Sequence, residues 1–443
     1  MSQLSPTDLF FEGNRFMQAG DNTHAEACFR RAIKADPEFA EAYTNLAILL
    51  ESKQPKKAEQ YYRSSLKLNP DSPETLANLA DFFAMHKRFA EAEALYIQSI
   101  VLNPSASITH SNLGVLLACL KREYEAETYL RRALELNPEN AKASFNLAYL
   151  LLLQGNFAEG WIRLEARNLN VDANLPFAKW QGEDLRGKSL LVWYELGFGD
   201  EIQFCRYVPL LKKMGVTDLT LVCRPELKVL FQTLEGVDTL YAATEHIPHR
   251  YYDFWTLPLS APRYCQTELD SIPAQLPYLH ADADKIKQWK LPENGLKKVG
   301  LVWQGNPRHE NDDQRSLDVK TLAPLLKTSG IQFVNLQKGV KAQAMMTLPA
   351  EMQDFADTAA IISQLDLVIC VDTAVAHLAG ALNKPCWVLL PDFKTDWRWM
   401  KEQSDSPWYP NVMRLFRQGQ DQRWEPVIQS VTSALQQWVD DKA

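Results

Sequence analysis

Three residue patterns recur along the first part of this chain in one shared register. They restrict its fold more than any other feature. The prolines of Asp36-Pro37, Asn69-Pro70, Asn103-Pro104 and Asn137-Pro138 are spaced by 33, 34 and 34 residues. The pairs Ala25-Glu26, Ala58-Glu59, Ala92-Glu93 and Ala126-Glu127 step by the same intervals, and so do Asn45, Asn78, Asn112 and Asn146. A period of this length marks a supersecondary unit that cannot bury its apolar face alone and must stack on its neighbours.

Each unit contains two apolar-periodic helical stretches and a closing proline, which ends the second helix. In this it resembles the tetratricopeptide repeat. Four full repeats are expected over roughly 6–141. A divergent fifth, from Lys142 to about Asn170, lacks the proline and carries Gly160-Trp161 in place of the Ala-Glu pair, giving a repeat domain over 6–170. Stacked helical pairs form a superhelix whose concave groove suits an extended peptide. Asn45, Asn78, Asn112 and Asn146 would then form a ladder of amides able to donate to and accept from a peptide backbone. The repeat domain of O-linked N-acetylglucosamine transferases is similar in using such a ladder. The alternative is that these amides bond within the solenoid.

Composition narrows the function classes. All twelve tryptophans lie at Trp161 or later, which marks a change of architecture near that point. A formal net charge of −8 makes nucleic acid or an anionic membrane surface an unexpected partner. No apolar run approaches the ~20 residues of a membrane span. Met1 to Phe10 shows no basic segment followed by an apolar core, so no signal peptide is expected. The seven cysteines are scattered and never form a C-x-x-C pair, which fits a reducing cytoplasm rather than a disulfide framework or zinc site.

From Ser189 the pattern changes. Ser189–Tyr194, Leu219–Cys223, Lys298–Trp303, Gln332–Leu336, Leu365–Cys370 and Cys386–Leu390 read as buried strands. Gln203–Lys213, Val319–Leu326, Thr358–Gln364 and Ala374–Leu382 read as helices between them. That alternation predicts parallel α/β sheets. The stretch LPENGLKK, 291–298, divides the region, so a linker over 171–185 is followed by α/β domains over 186–290 and 291–443.

In such sheets ligands bind beyond the carboxyl ends of strands. Gly197, Gly199 and Asp200 follow the first expected strand there; Gln304 and Asn306, Gln337 and Lys338, and Asp372, Thr373, Ala374 and His377 follow later ones. Thr373 is a good N-cap, and the free N–H groups of the helix after it suit a pyrophosphate. His377 lies one turn further on, and Lys338 offers a cation. Thr373 can equally be a plain cap, and His377 a helix-face histidine bonded within the fold. Arg315 pairs with phosphate or sugar, or sits in solvent. Asp200, after a glycine-rich turn, either takes a proton from a nucleophile or caps the next helix.

The segments LVICVDTAVAHLAGALNKPCWVLL, GFGDEIQFCRYVPLL and LVWQGNPRHEN resemble the catalytic region of bacterial tetratricopeptide glycosyltransferases. These are relatives of the ADP-heptose:lipopolysaccharide heptosyltransferases. Asp372, Thr373 and His377 match that pattern, while Ala374 replaces its glycine. Flagellin glycosyltransferases, which also join repeats to such a domain and use nonulosonic acid donors, are another similar group.

The resemblance implies an all-α repeat solenoid followed by an α/β GT-B fold, two Rossmann-like domains facing a cleft. It implies a cytoplasmic glycosyltransferase with Asp200 as base. The nucleotide-sugar donor is a substrate, and neither a cofactor nor a metal is expected, since no D-x-D triplet stands at a strand end. The expected partners are that donor and a protein acceptor, flagellin among the candidates, held by the repeats on Ser or Thr. Homo-oligomerisation through the repeats is open. Two other readings stay open: transfer to lipopolysaccharide or another glycan, and a non-catalytic scaffold.

Overall fold

The computed structural model describes residues 4–167, 175–247, 250–340, 342, 344–348 and 350–441. The chain divides into two units, Met1–Leu147 and Ala148–Ala443.

The first unit is a run of helical pairs. Pro6–Gln18 pairs with Asn22–Ala35, Ala40–Leu50 with Pro55–Leu68, Pro73–Met85 with Phe89–Leu102, and Ser107–Cys119 with Glu123–Leu136. The recurring residues explain the geometry. Asp36, Asn69, Asn103 and Asn137 are the C-caps, each out of the helical region, because the following proline disfavours it. Ala25, Ala58, Ala92 and Ala126 are fully buried where paired helices cross. In the fourth repeat Gly114 takes the place held by Ala47 and Ala80, and a Cβ there would lie 2.7 Å from Leu130 Cγ. A second 34-residue pattern appears only in three dimensions. Arg88 joins Glu59 to Glu91, and Arg122 joins Glu93 to Glu125, so each arginine links one repeat to the next.

Helix Ala141–Leu153 opens the atypical fifth repeat, and its last residues, from Ala148, belong to the second unit with helix Phe157–Leu164. Gly160 replaces alanine here because a Cβ would lie 2.7 Å from Leu152 Cδ2. Trp161, in the position of the missing glutamate, is buried among aromatic rings of the second unit.

That unit holds two parallel five-stranded sheets. The first contains β1 (Ala178–Lys179), β2 (Ser189–Val192), β3 (Asp218–Cys223), β4 (Thr239–Ala242) and β5 (Phe254–Thr256), in the order β1-β5-β2-β3-β4. The second contains β6 (Lys297–Val302), β7 (Ile331–Asn335), β8 (Leu367–Val371), β9 (Cys386–Leu390) and β10 (Met413–Arg417), in the order β10-β9-β8-β6-β7. Helix Glu425–Asp440 covers the second sheet with Val427, Ile428, Val431 and Leu435.

Six expected strands are present within a few residues, while β1, β4, β5 and β10 were not legible. Two of these are short, and β10 carries two arginines among its five residues. The helix expected over Gln203–Lys213 is split. Helix Phe198–Phe204 gives way to a 3₁₀ turn, Cys205–Tyr207, and then Val208–Lys213, whose second residue is Pro209. Val319–Leu326 forms two 3₁₀ turns rather than a helix, with Pro324 between them. The expected end of the repeats and start of the linker, 168–174, lies outside the described residues. The rest of the linker span includes β1 and the buried Trp180, whose N–H donates to Trp255 O at 2.8 Å, so the first sheet begins upstream of 186.

Strand order reverses between β6 and β8, and again between β2 and β5. Loops at such points leave the sheet in opposite directions and open a crevice at its carboxyl edge. The loops after β2, β6 and β8 carry most of the residues singled out from sequence.

Candidate functional site

The glycine-rich turn after β2 is built around one carboxylate. Asp200 stands at the third position of helix Phe198–Phe204, and its Oδ2 accepts from Gly197 N–H at 2.8 Å. Leu196 enters the turn at φ +55°. Arg224, at the end of β3, braces the turn from below by donating to Leu196 O and to the buried Glu201. Burial outweighs Arg224 and pushes Glu201 up to about 7.

This turn touches the second sheet's loop. A Cβ at Gly199 would lie 3.0 Å from His377 Cδ2 and 3.5 Å from Ala374 Cα, so only glycine lets the turn rest on the start of helix Ala374–Ala381. Asp200 thus stands beside the helix N-terminus, where unpaired N–H groups gather. Its Oδ1 is paired with Arg398. Arg398 is 6% exposed and serves several acceptors at once: Nε donates to Gln203 Oε1 at 2.7 Å, and Nη1 donates to both oxygens of Asp396 at 3.0 and 2.9 Å.

The other predicted residues fall into distinct places. Asp372 follows β8; its carbonyl accepts from Arg315 Nη1 at 2.8 Å, and Arg315 Nε donates to Asp312 at 3.1 Å. Arg315 therefore reaches the loop after β8 rather than solvent. Thr373 occupies the N-cap position but makes no cap hydrogen bond, and its buried Oγ1 has no partner among the described residues. Gln304 and Asn306 line the loop after β6, where Asn306 Oδ1 accepts from Arg308 N–H at 3.0 Å. Gln337 is a staple between strand ends, its Oε1 accepting from the N–H groups of Trp303 and Gln304 at 3.2 and 3.0 Å. Lys338 is exposed.

His377 departs from the expected direction. It is 6% exposed, stacks on Trp399 with ring centroids 5.3 Å apart, and its Nδ1 lies 3.0 Å from the Tyr409 hydroxyl. Burial holds its pKa well below the usual range, so the ring is neutral. Gly380 makes room for this arrangement, since a Cβ there would lie 2.3 Å from the Tyr409 ring.

Burial and the neighbouring Asp396 carboxylate push Asp372 up to about 6. An acid whose folded pKa is raised adds stability in its protonated form; that contribution is full below its unfolded value of 3.8 and is lost as pH rises through 6. Asp372→Asn is therefore expected to gain melting temperature relative to wild type as pH goes from 4 to 7. Thermal melts of the two proteins across that range check it, and a constant difference would contradict the burial of this carboxyl.

Sequence reasoning assigned no role to Arg398, Asp396, Gln203, Tyr409 or Arg206. Arg206 is buried and donates to Gln203 O, Trp408 O and Tyr278 Oη at 2.8, 2.7 and 3.0 Å, tying the helix after β2 to the segment before β10. The signal available was the run Asp396-Trp397-Arg398-Trp399 after β9, a charged pair between large aromatics.

In the repeats, most of the amide ladder is engaged. Asn45 Nδ2 donates to Asn14 Oδ1 at 2.7 Å, Asn112 Nδ2 to both oxygens of Asp81 at 2.8 and 3.1 Å, and Asn146 Nδ2 to Lys142 O at 2.8 Å. Asn112 Oδ1 also accepts from Lys142 Nζ at 2.9 Å. The Asn78 side chain makes no hydrogen bond among the described residues. Asn112→Ala would strip Asp81, already pushed up by burial, of both bonds. A loss of ~1–3 kcal/mol in unfolding free energy is expected, and an unchanged denaturation midpoint would show that the Asp81 pair is not structural.

Among the described residues no group of three or more His, Cys, Asp or Glu is placed to hold a metal ion, and no helix is long and apolar enough to cross a membrane.

Comparison with known proteins bears on both units. Tetratricopeptide repeat models match residues 12–73, 49–104, 109–140 and 125–161. The model of glycosyltransferase family 9 (heptosyltransferase) matches 333–389, from β7 to β9, a stretch that carries Asp372, Thr373 and His377. Protein FlbA of Caulobacter vibrioides is 28% identical over 324 residues, 65% of this chain and 54% of FlbA. The type IV pilus assembly protein PilF of Pseudomonas aeruginosa is 30% identical over 80 residues, 18% of this chain and 32% of PilF. The chain thus spans about half the length of FlbA and a third of PilF. A solved structure of P. aeruginosa PilF overlaps 37% of this chain and 78% of its own, at 24% identity and a TM-score of 0.36. The chain combines tetratricopeptide repeats with a glycosyltransferase family 9 segment, and this supports a glycosyltransferase.

Proposed function

We propose that the second unit transfers a sugar from a nucleotide-sugar donor to a Ser or Thr hydroxyl of a protein, flagellin among the candidates, which the repeats recruit. The observation that carries this reading is the seat of the glycine-rich turn on helix Ala374–Ala381, which puts Asp200 beside a helix N-terminus. A base and an anion cradle then face one reacting centre, in a GT-B arrangement of the two sheets.

The donor's phosphates lie at Thr373 and the first N–H groups of the helix, with Arg315 nearby and Lys338 offering a further cation. Gln304 and Asn306 line the nucleotide side. Asp200 takes the proton of the acceptor hydroxyl. The acceptor oxygen bonds to the anomeric carbon, and the bond from that carbon to the phosphate oxygen breaks with its electron pair going to the phosphate. The helix dipole and the arginines carry the charge of the leaving phosphate, so the reaction needs no metal and no cofactor. Arg398 keeps Asp200 in place and must yield Oδ1 for it to accept the proton on that oxygen.

A second reading takes lipopolysaccharide or another glycan as acceptor; the heptosyltransferase family match favours it. Intact-mass analysis of proteins from the host with and without the gene separates the two. A protein that gains the mass of a glycosyl residue only when the gene is present supports the first reading. Unchanged protein masses with an altered glycan support the second, and no change in either supports a scaffold.

A further inference from the structure

A cleft of about 410 Å³ opens beside helix Phe157–Leu164, a volume within the usual range of ligand pockets. The residues assigned above to the donor and the base are not among those that line it. One wall carries Trp161 and Ile162, and Ile162 is 55% exposed. The facing wall is the loop after β1, at Gly182, together with helix Ala261–Tyr264 and the turn after it, which supply Arg263, Gln266 and Glu268.

The walls are fixed by bonds that leave the charges of the cleft unused. Trp161 Nε1 donates to Thr267 O at 2.9 Å, and Tyr264 Oη donates to Gln181 Oε1 at 2.9 Å. Gly182, at φ +100°, brings its loop against Tyr264, where a Cβ would lie 3.0 Å from the ring. Arg263 is half-buried and its guanidinium lies 5.1 Å from the centre of the Tyr264 ring. Its side chain makes no hydrogen bond or ion pair among the described residues. Arg167, Arg206 and Arg398 of the same unit each bond several acceptors instead. Glu268 pairs with no cation among the described residues either, so the cleft presents two separate poles, a guanidinium fork and a carboxylate.

We propose that this cleft is an acceptor subsite in which Arg263 binds an acidic side chain of the protein to be modified. This rests on the glycosyltransferase reading above. A guanidinium matches a carboxylate with two parallel N–H donors, and such charge-assisted bonds are the strong ones. Ile162 offers an apolar surface to the stem of the bound residue. Glu268, at the other pole, accepts a backbone N–H of the same segment and repels a second acid, which sets the direction of the chain. The cleft is linked to the base through two indole rings. Trp161 meets Trp397 at 5.4 Å, Arg398 Cζ lies 4.6 Å from the Trp397 ring, and Arg398 pairs with Asp200. A few residues of extended chain, at ~3.4 Å each, cover such a distance. The acceptor class is then a Ser or Thr with an acidic residue a few positions away.

The test uses the full chain and the acceptor protein that gains mass in the host, purified from the strain lacking the gene. Arg263→Gln removes the charge and the fork. It is expected to raise the acceptor KM roughly ten- to hundredfold, as loss of a hydrogen bond to a charged group does. The melting temperature, kcat at saturating acceptor and the calorimetric affinities for ADP, GDP, UDP and CMP should match wild type. Acidic residues near the modified Ser or Thr of the acceptor are then changed to their amides one at a time. One of these changes should raise the KM of the wild-type chain by the same factor and leave that of Arg263→Gln where it was. A wild-type acceptor KM in Arg263→Gln overturns the proposal. Additive losses with every amide variant also overturn it, because the acid would then be read elsewhere. Glutarate serves as the free-acid probe. Glutarate binding that is lost in Arg263→Gln, together with equal acceptor KM values, assigns the cleft to a small acid and overturns the proposal. If the wild-type chain modifies no protein, the glycosyltransferase reading itself has failed, a result distinct from an active wild type with an indifferent Arg263 variant.

Discussion

Asp200→Asn is expected to lower transfer by about 10²–10⁴-fold, the usual contribution of a general base. Nucleoside-phosphate affinity should be unchanged, because Thr373, Arg315 and Lys338 are untouched. The variant is not structurally silent. Asp200 receives Gly197 N–H on one oxygen and Arg398 on the other. An amide has only one oxygen, so its NH₂ must face one of those donors. A stability cost of ~1–3 kcal/mol follows, and transfer must be compared well below the melting temperature of both proteins. Product mass reports transfer and calorimetry reports nucleotide binding. If the Asn variant transfers at the wild-type rate, Asp200 is a helix cap and nothing more.

Arg398→Ala should have the largest effect on stability. Its side chain is 7% exposed and faces two carboxylates, Asp200 and Asp396, as well as Gln203. Removing it leaves both carboxylates, which are only partly exposed, without their cation. Breaking one partner of a buried pair costs about 3–5 kcal/mol. Arg398→Lys should recover little of this, because a lysine ammonium cannot present the arginine fork to Gln203, Asp396 and Asp200 together. Chemical denaturation of the three proteins measures the difference. A lysine variant as stable as wild type would mean that charge alone, and not the fork, holds the loops together.

The repeats were readable because their constraint is local. Proline after each second helix, alanine at each crossing and asparagine at each first helix recur at fixed spacing whatever the rest of the chain does. The loops after β6 and β8 were readable for a similar reason, since strand ends in a parallel sheet collect polar and glycine residues. What was not readable is who meets whom. Asp200 and Arg398 come together only when the two sheets pack, and no spacing in the sequence encodes that. His377 shows the limit from the other side. Its place one turn after Thr373 is as the sequence suggests, yet Trp399, Tyr409 and Gly199 enclose its ring. Gln337 looked like a ligand-facing polar residue and instead joins Trp303 to Gln304. Three asparagines of the ladder bond inside the solenoid for the same reason, because an amide near a buried acceptor such as Asp81 is drawn to it.

The central claim is that the turn at Asp200 and the helix at Thr373 form one reaction site for glycosyl transfer. The most direct measurement is nucleotide release from a panel of nucleotide sugars carrying ADP, GDP, UDP and CMP, with host protein extract supplying the acceptor. The account predicts that wild type releases nucleotide from one member of the panel and that Asp200→Asn does not, although it binds the same nucleotide. Release by the Asn variant at the wild-type rate, or neither binding nor release of any member by wild type, would contradict it.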